Sequence, residues 1–554
     1  MTPRLPIPYD PQAPTRAMTE FATSLLTNPV QLLQAQRAQF AEWTALWSMA
    51  AARAFGQAVD PVVIPEKGDR RFADPSWNQP VFDFLKQAYL LMARQTLDLV
   101  AKSDLDPATR TRVDFFARQF LNALSPANFA FSNPQAIKAA LDSGGVSLLT
   151  GLANMLADAA SPSGLVKRRS DDNFELGVTI AATPGSVIFQ NEMMQLIQYA
   201  PTTDTVYRRP LLYIPPLVNK YYVLDLQAKS SMIRWLVEQG HCVFVISWVN
   251  PGPELGGKGI ADYIRQGPIE ALRTIERVTG ERTVDAFGFC MGGTLLAITA
   301  AYLAMTDETD RLGSVSMIGA LLDFANMGEW ATFFEPGQME AFERHVKETG
   351  VIGADKLQTL FSVVRANDLI WSSVVNHYLL DRTAPASDLL FWFADGARIP
   401  QAFLLEYGEA LLRGNRLREA GGMTIDGVPI DLGKIAVPAC MISLKDDHVS
   451  SWQATYDGAR LLGAPTTFIL GGSGHNAGVI NPPAANKHGY WTNAALPETA
   501  EQWFADAEMQ AGSWWPAWQA WLVSETAERV PARRPMTSEL PPLEDAPGSY
   551  VRVK

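Results

Sequence analysis

The sequence predicts an α/β protein: a mainly parallel sheet covered on both faces, a helical insertion late in that sheet, and a mostly helical unit ahead of it. Three observations carry this expectation. From about residue 187 onward, short β-rich runs alternate with helical stretches, a pattern that calls for parallel strands joined by crossover helices. Before that point apolar residues recur at helical spacing instead. Between about residues 323 and 425 the alternation stops, and aromatic-rich helical patterns replace it. The chain has 554 residues, 47% hydrophobic and 19% charged. That composition excludes a fibrous or fully disordered chain and provides for a large core.

In chain order, residues 1–18 are proline-rich and read as a flexible leader with no unbroken apolar stretch for export. Asn28-Pro29 is a helix start, a capping side chain followed by proline at the first helical position. Leu33, Phe40, Trp43 and Trp47 then fall on one helical face, read first as core and otherwise as an interface. Helical patterns continue, so residues 19–185 form the expected N-terminal domain. The α/β domain is expected over 186–530, with a cap insertion at about 323–425. Its strands read as Val187–Gln190, Thr205–Arg208, Leu211–Ile214, Cys242–Ser247, Thr283–Phe287, Ser314–Leu321, Ala439–Leu444 and Thr466–Leu470. Ala228–Gln239 and Asp262–Thr279 read as helices between them. Trp514, Trp515, Trp518 and Leu522 form a late apolar stripe read as core. Residues 531–554 read as a flexible tail.

Several function classes are excluded at this stage. Lys plus Arg number 46 against 58 Asp plus Glu, a net charge of −12, and no basic cluster suits nucleic acid. Three cysteines are too few for a disulfide framework and point to a reducing cytoplasm. Six histidines occur without CxxC, HExxH or other ligand spacing, so no metal is expected. No run of about 18 apolar residues can span a bilayer; the longest apolar stretch, about Leu295 to Met305, suits a buried helix. Gly252–Lys258 matches a phosphate-loop spacing. Gly259 stands where Ser or Thr should follow, however, and Pro253 removes an amide from the cradle. A nucleotide site is therefore not expected.

The chemistry concentrates in three loops. Gly288-Phe289-Cys290-Met291-Gly292-Gly293 lies between a strand and a helix, the setting of a nucleophile elbow with cysteine in the serine position. Gly288, Gly292 and Gly293 relieve crowding in a strained turn. The helix start favours a thiolate at Cys290, and the Met291 amide faces the site of a developing oxyanion. Lys445-Asp446-Asp447-His448 follows a late strand, where this fold places its acid; Asp447 lies 157 positions past Cys290, a gap the cap explains, and the spacing leaves Asp446 open as well. His475 sits on the glycine-rich loop after the last predicted strand, the position of the base. The order Cys290, Asp447, His475 is that of an α/β-hydrolase triad. The second oxyanion donor is expected after an early strand, at the amide of Val218 in Pro215–Lys220.

PPLVNKYYVLDL, FVISWVNP, FGFCMGGTLLA, RANDLIWSSVVNHYLL, KDDHVSSW, GGSGHNAGVINPP and GYWTNAALPETAEQW resemble the class I polyhydroxyalkanoate synthases, most strongly over about 190–525. The resemblance implies an acyltransferase that polymerises short-chain (R)-3-hydroxyacyl-CoA into polyester through an acyl-cysteine, with no cofactor. Cys290 would carry the chain, with His475 as base and Asp447 as third member. Whether Asp447 orients His475 or assists it as a second base stays open, and so does a thioesterase or intracellular polyester depolymerase of the same fold. Phe289 looks like class I. Phe393 departs from the family, which usually has asparagine there. Arg365 and His448 are the candidate contacts for CoA phosphates. A homodimer acting in the cytoplasm at polyester granules, with granule proteins possible partners of the N-terminal domain, completes the expectation.

Overall fold

A computed structural model of the chain describes residues 10–66, 68–161, 166, 173–535 and 540–554. The chain divides into two compact units. The first holds Met1–Asp171, Ala331–Ala341 and Gln358–Ala386, and the second Asp172–Trp330, Phe342–Leu357 and Ser387–Lys554.

The first unit is helical: α1 (Ala13–Thr27), α2 (Pro29–Ala54), α3 (Pro80–Lys102), α4 (Pro107–Ala123), α5 (Pro134–Asp142) and α6 (Val146–Ala159). Four of these begin on a proline, whose fixed φ suits the first helical position and whose missing N–H costs nothing there. Asp106 and Asn133 cap α4 and α5 with their side chains. Two differences from expectation stand out. Helix α1 starts at Ala13, inside the segment read as a flexible leader; Pro14 in its first turn initiates the helix. And α2 packs through Leu46 and Met49, whereas Leu33, Phe40 and Trp47 are 57%, 76% and 61% exposed. Helical spacing identified an apolar face but not the one that is buried. Of that stripe Trp43 turns inward, its Nε1 donating to Gln95 Oε1 at 3.1 Å, and the Trp47 ring lies 4.6 Å from that of Phe84 on α3.

The insertion also differs. Two of its pieces, Ala331–Ala341 and Gln358–Ala386, belong to the first unit, and α6 accepts the second closely. A Cβ on Gly151 would lie 1.8 Å from the Tyr378 carbonyl oxygen, and Tyr378 OH donates to Asp158 Oδ2 at 2.8 Å.

The second unit is built on an eleven-stranded sheet: β1 (Gly185–Gln190), β2 (Met194–Tyr199), β3 (Leu211–Ile214), β4 (Val243–Trp248), β5 (Val284–Phe289), β6 (Leu312–Ile318), β7 (Ala439–Leu444), β8 (Thr466–Gly471), β9 (Tyr490–Thr492), β10 (Glu508–Gln510) and β11 (Glu544–Asp545). Their spatial order is β10-β9-β8-β7-β6-β5-β3-β4-β2-β1-β11. β3 to β8 pair in parallel and are nearly continuous apolar runs, as strands covered on both faces must be. The stripe Trp514, Trp515, Trp518 and Leu522 is fully buried in the core of this unit, as expected. The expected helix 262–279 is interrupted: Pro268 cannot donate, and a wide turn over Arg265–Ile269 separates two helical pieces. Glu254 accepts the Gly252 amide and Lys258 pairs with Glu192, so the phosphate-loop spacing forms an ordinary turn.

The segment read as a flexible tail is packed. Glu544 and Asp545 pair with Val187 and Ser186, and Val551 is buried in the core. Gln195 of β2 explains the docking: its amide donates to Ser549 Oγ (2.9 Å) and its carbonyl accepts the Tyr550 N–H (3.1 Å). Proline and charge gave this segment the composition of a tail, but its backbone covers a sheet edge that would otherwise be unpaired. Residues 536–539 of it lie outside the described residues.

Candidate active site

Strand β5 ends at Phe289, and helix α7 (Met291–Met305) begins one residue after Cys290. Cys290 therefore makes the whole turn, at φ 54° and ψ −128°, a strained conformation for a residue with a side chain. Its N–H donates to the Ile318 carbonyl of β6 at 2.8 Å, anchoring the turn to the sheet. The glycines are required by space. A Cβ on Gly288 would stand 2.4 Å from the Gly292 carbonyl oxygen, and one on Gly292 would stand 2.2 Å from that of Ile214 at the end of β3. One on Gly293 would meet Ala320 Cβ at 2.6 Å. The close approach at Gly292 also brings the Pro215–Lys220 loop against the elbow. Cys290 is half-buried, while Cys242 and Cys440 are fully buried; burial pushes the Cys242 thiol up to about 12.

His475 opens a short helix, His475–Val479, after β8. Its Nδ1 meets Asp447 Oδ2 at 2.6 Å, with both side chains nearly removed from solvent. The other Asp447 oxygen accepts the amides of Val449 (2.7 Å) and Ser450 (2.9 Å). A carboxylate held by two backbone donors cannot swing away from its imidazole partner. Asp446 is exposed, and its backbone N–H bonds the Ser473 carbonyl, so of the two neighbouring acids it is Asp447 that faces His475. Cys290 also lies close enough to act on the imidazole. Burial alone would lower the pKa of His475; the charges of Asp447 and Cys290, with the hydrogen bond to Asp447, outweigh that and raise it to about 10. The structure thus joins all three predicted groups in one chain of contacts: Cys290, His475, Asp447.

Met291 occupies the first helical position of α7, where an α-helix leaves its N–H without an intrahelical partner. Val218 lies on the loop packed against the elbow, its carbonyl held by the Ala397 N–H at 3.1 Å. His448 is half-exposed, and its carbonyl accepts Trp330 Nε1 at 2.9 Å. Arg365 belongs to the first unit and its Nε donates to Asp368 at 2.9 Å; the other candidate site residues are all in the second. Phe393 meets Asn219 through its main-chain carbonyl (3.4 Å), a contact indifferent to the side chain at that position.

Sequence reasoning missed two contacts within the site. The Phe289 ring stacks on His475, and Tyr407 is buried close enough for the Cys290 charge, with burial the larger cause, to push its phenol well up. The signal for Phe289 was available in its adjacency to Cys290. Tyr407 lies over a hundred positions away and had none. Among the described residues no group of His, Cys, Asp and Glu is arranged to hold a metal.

Two family descriptions match the chain: the poly-beta-hydroxybutyrate polymerase N-terminus over residues 68–236 and the α/β-hydrolase fold over 210–482. The sheet order and elbow are those of the latter fold. Full-length relatives are similar too. The poly(3-hydroxyalkanoate) polymerase of Methylorubrum extorquens is 41% identical over 545 residues, covering 98% of this chain and 90% of the relative. The poly(3-hydroxyalkanoate) polymerase subunit PhaC of Cupriavidus necator is 40% identical over 536 residues, covering 95% and 89%. The protein of the same name from Rhizobium meliloti is 38% identical over 546 residues, covering 97% and 88%.

Proposed function

The chain belongs to the poly(3-hydroxyalkanoate) polymerase family, and from that premise we propose that it polymerises short-chain (R)-3-hydroxyacyl-CoA, releasing CoA, through an acyl ester of Cys290. The observation that carries the reading is the contact chain from Asp447 through His475 to the cysteine of the elbow.

In the first half-reaction the Cys290 sulfur attacks the thioester carbonyl. The amides of Met291 and Val218 receive the negative oxygen. The C–S bond to CoA then breaks, and the leaving thiolate takes the proton held by His475. Exchanging one thioester for another is nearly thermoneutral, so loading needs little driving force. Acylation also removes the Cys290 charge, one of the causes that raise His475. The imidazole is thereby left neutral and able to accept a proton. In the second half-reaction the 3-hydroxyl of another hydroxyacyl unit attacks the acyl-cysteine and His475 takes its proton. The oxygen ester forms as the C–S bond to Cys290 breaks, which regenerates the thiolate–imidazolium pair. Asp447 holds the ring in the tautomer that presents Nε2 to the reacting groups.

Water competes with the hydroxyl nucleophile, so a polymerase needs an apolar, covered site. Leu389, Phe391 and Phe393 pack against the same core that Cys290 borders, which supports that requirement. The short-chain assignment rests on Phe289 in the elbow. His448 is assigned to the phosphates of CoA. The protein acts as a homodimer at the surface of polyester granules in the cytoplasm; no helix among the described residues is long and apolar enough to cross a membrane.

Incubation with 3-hydroxybutyryl-CoA tests the reading. Insoluble polymer in step with CoA release is expected, with both abolished by Cys290→Ala. Free 3-hydroxybutyrate in step with CoA release would instead mark a hydrolase.

A further inference from the structure

The loop that offers the Val218 amide is tied to one distant segment, residue by residue. The Ala397 N–H donates to the Val218 carbonyl at 3.1 Å. Asn219 and Gly396 form an isolated antiparallel bridge, and the Asn219 side-chain amide donates to the carbonyls of Trp392 and Phe393, each at 3.4 Å. Trp392 Nε1 donates to the Lys220 carbonyl at 2.7 Å. At the centre, Lys220 Nζ meets Asp395 Oδ1 at 2.7 Å, and Tyr222 OH donates to Asp395 Oδ2 at 2.8 Å. From the other side Trp248 Nε1 holds the Pro215 carbonyl at 3.0 Å.

The Lys220 side chain is 5% exposed and that of Asp395 12%. A buried ion pair is an expensive way to join two segments, since desolvation offsets most of its attraction and apolar residues of similar volume would often stabilise as well. What such a pair adds is direction: two charged groups and a phenol fix a register that apolar contacts would let slide.

We propose that Lys220 and Asp395 are positioning residues, a clamp that sets the Pro215–Lys220 loop so that the Val218 amide meets the oxyanion formed at Cys290. The proposal rests on the reading of Cys290 and Val218 given above. The clamp touches neither substrate nor nucleophile and acts only through the loop. Losing it shifts one oxyanion donor and leaves the thiol and its histidine in place.

The test separates two reactions of one sulfur in the full-length protein. Acylation by 3-hydroxybutyryl-CoA develops an oxyanion, whereas alkylation by iodoacetamide displaces iodide and develops none. Deleting an oxyanion donor costs about 100- to 1000-fold in kcat; a donor shifted by loss of the clamp should cost roughly 10- to 100-fold. Asp395→Asn is therefore expected to slow CoA release by that factor with KM changed less than about threefold. Its Cys290 alkylation rate should stay within about twofold of wild type. Combining it with Lys220→Met should cost no more than the worse single change, because the two act as one unit. If Asp395→Asn fails to fold, Tyr222→Phe removes a single bond to the clamp and should give the same split at smaller amplitude. Equal acylation rates in wild type and variant overturn the clamp while leaving the proposed activity intact, and so do acylation and alkylation falling in parallel. A wild-type protein that never forms acyl-Cys290 overturns both.

Discussion

Phe289 and His475 stack, their ring centroids 4.9 Å apart and their planes 30° from parallel. The residue before Cys290 thus sets the face of the imidazole, while Asp447 sets its edge. Phe289→Ala should lower kcat by about tenfold, because a mispositioned base forfeits part of the 100- to 10,000-fold that proton transfer contributes. The cavity should also cost about 3 kcal/mol of stability. Phe289→Leu, which refills most of the volume without a stacking face, should recover stability but not rate. Urea unfolding and steady-state CoA release read the two effects separately.

The raised pKa of His475 links stability to pH. Its folded value, about 10, lies above the ordinary 6.5. The proton is therefore held more tightly in the folded chain, and the stability it contributes is fully present below pH 6.5 and lost as pH rises through 10. Asp447→Asn removes the largest of the raising causes. The gap in melting temperature between wild type and Asp447→Asn should be widest near pH 6 and narrow towards pH 10. A gap that widens with pH would contradict the assignment.

Asp285 gives a second, separate pH signature. Burial raises it from 3.8 to about 6, with the hydrogen bond from Ser314 and the charge of Arg209 opposing. Its stabilising, protonated form is complete below pH 3.8 and lost as pH rises through 6. Asp285→Asn should escape that loss. Relative to wild type the variant should therefore gain on the order of 3 kcal/mol between pH 4 and pH 7, measured by urea midpoints at the two pH values.

The glycines of the elbow tolerate no Cβ. Gly292→Ala would place one 2.2 Å from the Ile214 carbonyl oxygen, a backbone atom at the end of a central strand. A destabilisation of about 3 kcal/mol or more is expected, with loss of Cys290 alkylation. Gly280→Ala, where a Cβ meets nothing within 4 Å but φ is +75°, should cost only about 1 kcal/mol and leave alkylation unchanged.

Much of this was legible before any coordinates. β3 to β8 declare themselves because buried parallel strands are short apolar runs between turn residues, and the three catalytic candidates fall on the loops that follow such strands. What stayed hidden has a common cause: partners far apart in sequence. β2 carries Gln195 and Gln198 in its interior, and its polarity made it unreadable as a strand; Gln195 is satisfied by Ser549 and Tyr550. Asp446 and Asp447 are equal by spacing, and only the path of the loop turns one inward. Lys220 and Asp395 look like surface charges until the fold buries them together. The face of α2 failed differently: periodicity finds a stripe, but Leu46 and Met49 are the residues buried against the neighbouring helix, while Leu33 and Phe40 stay exposed.

The seam between β1 and β11 has a consequence for biosynthesis. Gln195 and Ser549 are 354 positions apart, so the border of the sheet stays raw while hundreds of residues are still emerging from the ribosome. During that interval β1 presents an unsatisfied edge on which a neighbouring nascent chain could add a strand. Chaperone dependence and inclusion-body formation on overexpression should therefore track the integrity of residues 540–554, and substitutions there should lower the yield of recoverable protein more than its specific activity.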